Sequence, residues 1–396
     1  MRDVRVGRDS AGRRAEWRRW LTVVLGGLWL LDGGLQLQPY MFRPGSDGFL
    51  GPISQNAMGG QTLYAHVEQQ LVLLLHAHQT TLNALFAAGQ LAIGAAVVLG
   101  ALGRRPILTK VGLVASALWA VFVWVAGEAF GGMIYPQDSM LVGAPGAALL
   151  YAVLSLLLWP PPEAPPARPA GTAAARTLRR SVASEGPFGR VADLTWVALF
   201  DLTALLYVEI GNRAPDGLAA QVRDGVIGNP HWLVVLDDAV ARSIAGRGFA
   251  LALGLAIVQV AIGQGVLRPA TRRLALGAGV LLSLVFWVVG QDFGGIFTGT
   301  GTDPNLGPLV VVLALALWPL AERRPSADRR VLAGRRNSAE SEGWLTADPL
   351  ERETPVSLGA SRGPAGEVAA GVLPTGGRAE FSRAVDGEPG GPAQRG

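Results

Sequence analysis

Residues 81–105 run TLNALFAAGQLAIGAAVVLGALGRR, a stretch of 23 uncharged residues that stops at two arginines. The hydrocarbon core of a bilayer is about 30 Å thick and a helix rises about 1.5 Å per residue, so about 20 apolar residues cross it. This stretch has that length and ends on a basic turn, so it reads as a membrane-crossing helix. The same test applied outward along the chain finds seven more, giving spans at 20–39, 81–102, 107–130, 142–160, 191–210, 247–267, 272–292 and 305–321. The predicted fold class is an all-α polytopic membrane protein.

Composition agrees with that reading. Half of the 396 residues are apolar, 16% are charged and the mean hydropathy is +0.33, outside the usual range of soluble globular chains. Cysteine is absent, which removes disulfides, thiolate zinc sites and iron–sulfur clusters. The four histidines, His66, His76, His78 and His231, all fall outside the spans, so neither haem nor zinc is expected. Lys110 is the only lysine, and the basic residues lie in loops beside apolar runs, where they orient a membrane protein and imply no nucleic-acid partner. The first apolar run, Leu21–Leu31, follows arginines and lacks a small-residue cleavage site, so 20–39 is expected to stay as a signal anchor.

Every second loop is basic. Arg13, Arg14, Arg18 and Arg19 precede the first span, Arg104, Arg105 and Lys110 join the second to the third, and Arg168, Arg176, Arg179 and Arg180 follow the fourth. Arg268, Arg272 and Arg273 join the sixth to the seventh, and Arg323, Arg324, Arg329 and Arg330 follow the eighth. Both termini are therefore expected in the cytoplasm, in a membrane of the bacterial plasma-membrane type. The chain divides into a basic N-terminus (1–19), a four-helix unit (20–160), a cytoplasmic linker (161–190), a second four-helix unit (191–321) and a tail (322–396) too polar to build a core. The apolar run Leu71–His78 is too short to span and is expected at the interface.

The two units repeat one another. Gln90-Leu-Ala-Ile-Gly94 matches Gln259-Val-Ala-Ile-Gly263, Trp124-Val-Ala-Gly-Glu-Ala-Phe-Gly-Gly132 matches Trp287-Val-Val-Gly-Gln-Asp-Phe-Gly-Gly295, and Leu158-Trp-Pro160 matches Leu317-Trp-Pro319. With an even number of spans per unit, the repeat is parallel. Each unit resembles a DoxX-type four-helix membrane unit, on a first helix ending Gly33-Gly-Leu-Gln-Leu-Gln-Pro39, a second running from Ile93 to Gly100 into Gly103-Arg-Arg105, and a third closing on Gly127-Glu-Ala-Phe-Gly-Gly132. The resemblance implies a non-catalytic, quinone-linked membrane subunit set beside a separate extracytoplasmic or membrane protein partner.

Candidate site residues come from polar groups inside the spans. Asp32 and Asp201, 169 residues apart, are predicted to occupy equivalent places, roughly 15–18 Å deep. Buried carboxyls without a cationic partner must be protonated, hydrogen-bonded or hydrated, and they mark either a proton- or cation-handling site or interhelical hydrogen bonds. Gln36 lies one turn beyond Asp32, while Glu128, Gln291 and Asp292 share the outer level and Gln90 and Gln259 face inward, so two outward polar pockets are expected, one per unit. The Phe-Gly-Gly turns are expected to be left-handed helix caps. No nucleotide loop, catalytic triad or metalloprotease helix is present, which argues against self-contained catalysis. Three functions remain open: a quinone-linked subunit for an extracytoplasmic partner, a small-solute or ion transporter using the buried carboxyls, and a scaffold acting through its tail. The spans show no clear midplane break, which favours the first over transport.

Overall fold

The computed structural model describes residues 2–51, 63–134, 138–161, 181–185, 187–189, 191–225 and 228–319. The predicted tail and most of the predicted linker lie outside these residues. The described residues are helical, with no strand among them: α1 (Arg2–Leu35), α2 (Leu63–His76), α3 (Gln79–Leu102), α4 (Pro106–Ala126), α5 (Ala147–Leu157), α6 (Ala192–Leu206), α7 (Ile210–Arg213), α8 (Gly217–Asp224), α9 (His231–Ile244), α10 (Gly248–Gly265), α11 (Arg272–Val288) and α12 (Leu306–Leu317). Three of them, α3, α4 and α10, are long and apolar enough to cross a membrane, and about a third or less of each apolar window is buried within the chain. Their remaining apolar surface, with Leu85, Leu99, Ile107, Leu118, Phe249 and Ile257 exposed, needs an apolar solvent. These helices mark the chain as a membrane protein.

Local chemistry sets the helix ends and contacts. Pro106 opens α4, where its missing N–H costs nothing, immediately after the Gly103–Arg105 turn closes α3. Helices α1 and α3 touch backbone to backbone: a Cβ on Gly94 would lie 2.8 Å from the Gly26 carbonyl oxygen, so only glycine allows that approach. At the end of the bundle that carries the Gly103–Arg105 turn, the Arg18 guanidinium donates to the Leu157 and Trp159 carbonyls at the end of α5, and Arg272 donates to Leu317 O at the end of α12 while pairing with Asp193 at 2.7 Å. Arginines predicted to mark topology thus also satisfy helix C-termini.

Helices α5 and α12 form the centre, packed on each other and buried along most of their length. Here the structure departs from the expected spans 142–160 and 305–321: the helices hold only 11 and 12 residues, about 17 and 18 Å. The segments before them are irregular. Before α5, Met140–Val142 make a single 3-10 turn flanked by the buried Ser139 and Ala144, and Pro145, Gly146, Pro304 and Asn305, the last at φ +60, prevent α-helix from starting earlier. The 142–160 expectation begins five residues before its helix because that apolar run opens on irregular backbone, which hydropathy does not register, whereas α12 begins within one residue of its expected start and ends early at Leu317.

Candidate functional site

Two turns of nearly identical path prepare the site. Ala129, Phe130, Gly131 and Gly132 have φ of 48, 58, 65 and 74°, and Asp292, Phe293, Gly294 and Gly295 have 48, 57, 71 and 66°. The predicted left-handed caps are present and begin one residue before each phenylalanine. Each turn is pinned by an indole: Trp124 Nε1 donates to Pro145 O at 2.8 Å and Trp287 Nε1 to Pro304 O at 2.7 Å. Each also aims a side chain at the N-terminus of a central helix. Glu128 accepts from Ala148 N in the first turn of α5 through both oxygens, at 3.1 and 3.3 Å, and Gln291 Oε1 accepts from Gly307 N in the first turn of α12 at 3.2 Å. Both supply an acceptor to otherwise orphaned helix N–H groups.

Around the first of these ends the structure opens a cavity of about 140 Å³. Asp32, Gln36, Gln90 and Glu128, the four candidates predicted in the first unit, all line it, together with Tyr151 of α5 and Thr302 and Asp303 from the loop before α12. Trp29, Phe86, Trp119 and Phe122 wall it, and Phe49, Leu71 and Leu75 close over it. The run Leu71–His78 predicted at the interface thus contributes Leu71 and Leu75 from α2 to the cavity and to a small cluster with Met41, Phe49 and Leu50. Asp32 and Tyr151 are each 2% exposed. Their polar ends lie side by side and interact with one another, while Asp32 Oδ1 and Gln90 Oε1 have no hydrogen-bond partner. Gln36 is held: its Nε2 donates to Asn83 Oδ1 at 2.7 Å and its carbonyl accepts from Asn83 Nδ2. Burial raises the Asp303 carboxyl above the ordinary carboxylate range, against bonds from Asn305 N–H and the Thr302 hydroxyl that favour its charge. The carboxyls of Asp32, Glu128 and Asp303 feel one another electrostatically, and no Lys, Arg or His lines the cavity.

The corresponding place in the second unit is filled. Gln259 is fully buried, its Oε1 accepts from Thr203 Oγ1 at 3.0 Å, and its Nε2 lies 3.2 Å from the sulfur of Met140. Gln291 Nε2 donates to Met140 O at 3.0 Å. The loop before α5 therefore plugs the second unit with Met140, while the loop before α12 gives Asp303 to the first. Contacts across the units extend this exchange: Ser139 Oγ donates to Gln221 Oε1, and Gln38 Nε2 to Gly301 O.

Two candidates stand elsewhere. Asp201 does not occupy the place of Asp32: a Cβ on Gly94 would meet Leu30 and Gly26, whereas one on the matching Gly263 would meet Phe200 and Asp201. Helix α6 is thus shifted by two residues against α1, and Thr203 is the structural partner of Asp32. A two-residue shift turns a helical side chain by about 200°, onto the opposite face. Asp201 instead accepts from Gln264 Nε2, an interhelical tie at a partly exposed position. Asp292 faces Asp237 of α9, away from Gln259 and Gln291. Both carboxyls are buried and none of their oxygens has a hydrogen-bond partner. Burial, with Asp292 beside it, pushes Asp237 up to about 7.

Sequence reading missed Tyr151, Asp303, Asn83, Thr203 and Met140. Tyr151 and Asn83 sit inside apolar runs, where a single polar group looks incidental. Asp303 and Met140 lie in loops that cross to the opposite unit, and nothing local signals that. Compared with family models, curated proteins and solved structures, the chain finds no match.

Proposed function

We propose that the chain is an eight-span integral membrane protein with both termini in the cytoplasm, built from two parallel four-helix repeats, in which the first repeat holds a ligand and the second supports it. On this reading it is a non-catalytic, DoxX-like subunit that presents a small ring-sized molecule to an extracytoplasmic protein partner, and a quinone headgroup is the ligand which that resemblance implies. The carrying observation is the convergence of Asp32, Gln36, Gln90 and Glu128 on one aromatic-walled cavity. Its 140 Å³ matches the scale of an engineered apolar cavity of about 150 Å³ that takes one benzene ring. The paired turns at 129–132 and 292–295 support the repeat, and the alternating basic loops support the orientation.

A second reading, transport of a small solute or ion, gains from the short α5 and α12. Irregular backbone at membrane depth is tolerated where it is buried in protein or lines a cavity, and transporters place binding sites beside such broken helices.

The experiment is co-purification of the full chain in mild detergent, with bound small molecules and proteins identified by mass spectrometry, beside a cavity-filling Ala126→Trp variant. A ring compound lost from the variant, and an extracytoplasmic protein retained with the wild type, are expected. Identical extracts from the two proteins would remove the cavity reading. Reporters after Arg105, Arg180 and Arg324 should read cytoplasm, and those near Gly51, Asp138, Asp216 and Thr302 exterior. A cytoplasmic signal near Asp138 would sink the eight-span arrangement.

A further inference from the structure

We infer that the ligand of the first-unit cavity is an organic cation, an amine or ammonium carrying a single-ring apolar body, held by Asp32, Glu128 and Asp303 and faced by Trp29, Trp119 and Tyr151. This deepens the ligand-site reading above and rests on it.

The argument begins with charge. Three carboxyls border a cavity that no cationic side chain lines, and one of them, Asp32, is 98% buried with an oxygen that has no hydrogen-bond partner. Gln90 Oε1, also without a hydrogen-bond partner, lines the same space, and the equally buried Tyr151 hydroxyl lies beside Asp32. Leaving such acceptor oxygens unsatisfied is costly, and the carbonyls of a neutral quinone, being acceptors themselves, have nothing to donate to them. An ammonium has N–H donors for both Asp32 Oδ1 and Gln90 Oε1. Aromatic faces are the complementary wall for a positive charge, because the ring quadrupole attracts it while the ring body excludes water.

The second unit supplies the control. There three of the places are filled without an acid: Thr203 stands in place of Asp32, Gln291 does the helix-capping work of Glu128, and Met140 closes the space. At the fifth position of α12, where α5 has Tyr151, stands Val310. At these three places the frame is therefore kept without a carboxyl, and the second unit's own buried acids, Asp237 and Asp292, face each other elsewhere.

The test is calorimetric titration of the full chain in micelles with 2-phenylethylammonium, its neutral isostere 2-phenylethanol, and the quinone menadione. The ammonium should bind at least tenfold tighter than the alcohol. Asp32→Asn and Asp303→Asn should each weaken the ammonium at least tenfold while leaving the alcohol within twofold, and Asp201→Asn should change neither. Unfolding midpoints of the variants confirm that they are folded, and Asp303→Asn carries the test if Asp32→Asn is not. Menadione or the alcohol binding as tightly as the ammonium, or undiminished ammonium binding to both Asn variants, would overturn the cation assignment and leave the ligand site standing. If none of the three binds more tightly to wild type than to Ala126→Trp, the ligand site itself falls.

Discussion

On the proposed repeat, the two units share one frame and differ in what the frame encloses. In the first, Asp32, Glu128 and Asp303 surround a cavity; in the second, Thr203, Gln259 and Gln291 close on the sulfur and carbonyl of Met140. The same turn caps the same central helix in both, once with a carboxylate and once with an amide. The difference teaches that turn and helix end are architecture, whereas the acids belong to the contents of the cavity.

Removing the plug should produce the largest effect. Met140 is fully buried, so Met140→Ala should cost about 2–5 kcal/mol, whereas Asp303→Ala, at the edge of an existing cavity, should cost under about 1 kcal/mol. Unfolding of the two variants in micelles checks this, and equal losses would erase the contrast between filled and hollow.

Exchanging the capping residues sharpens it further. Gln291→Glu replaces the amide that donates to Met140 O with a buried acceptor, and should cost about 1–3 kcal/mol, while Glu128→Gln should cost under about 1 kcal/mol because Gln291 already shows that an amide suffices. A Glu128→Gln protein that is the less stable of the two would place the acid in the architecture.

The shared frame should respond alike in both units. A Cβ on Gly131 would lie 1.9 Å from Pro145 O and one on Gly294 2.3 Å from Asp303 O, both at left-handed φ, so each Gly→Ala should destabilise by about 1–3 kcal/mol and to similar extents. Thermal unfolding of the pair tests whether one turn is dispensable.

The smallest effect concerns Asp237 at the outer end of the second unit. Because its folded pKa is raised, the folded state binds a proton that the unfolded chain releases at lower pH. Stability is therefore full below about pH 4 and falls as pH rises to about 7, and Asp237→Asn should flatten that slope. Amide exchange of α9 between pH 4.5 and 7 reads it, and unchanged protection across that range would contradict the assignment.

Hydropathy and arginine spacing made the helices legible, because span length and basic flanks are written locally. Asp32, Gln36, Gln90 and Glu128 could be picked out as one group because all four lie on or just past helices of one unit. Asp201 was misplaced because identity over short apolar runs cannot fix helix register to within two residues, and two residues change the face. Asp303 and Met140 were invisible because their roles depend on loops crossing between units, a tertiary fact with no periodic signature. The late start of α5 escaped because buried irregular backbone can be as apolar as helix.

The central claim, that one unit is hollow and the other plugged, is tested most directly by the stoichiometry of 2-phenylethylammonium and 2-phenylethanol at saturation, measured by equilibrium dialysis on the full chain. The account predicts one bound molecule per chain for at least one of these probes, lost in Ala126→Trp and retained in Met140→Leu. Two molecules per chain, or one that vanishes with Met140→Leu and survives Ala126→Trp, would contradict it.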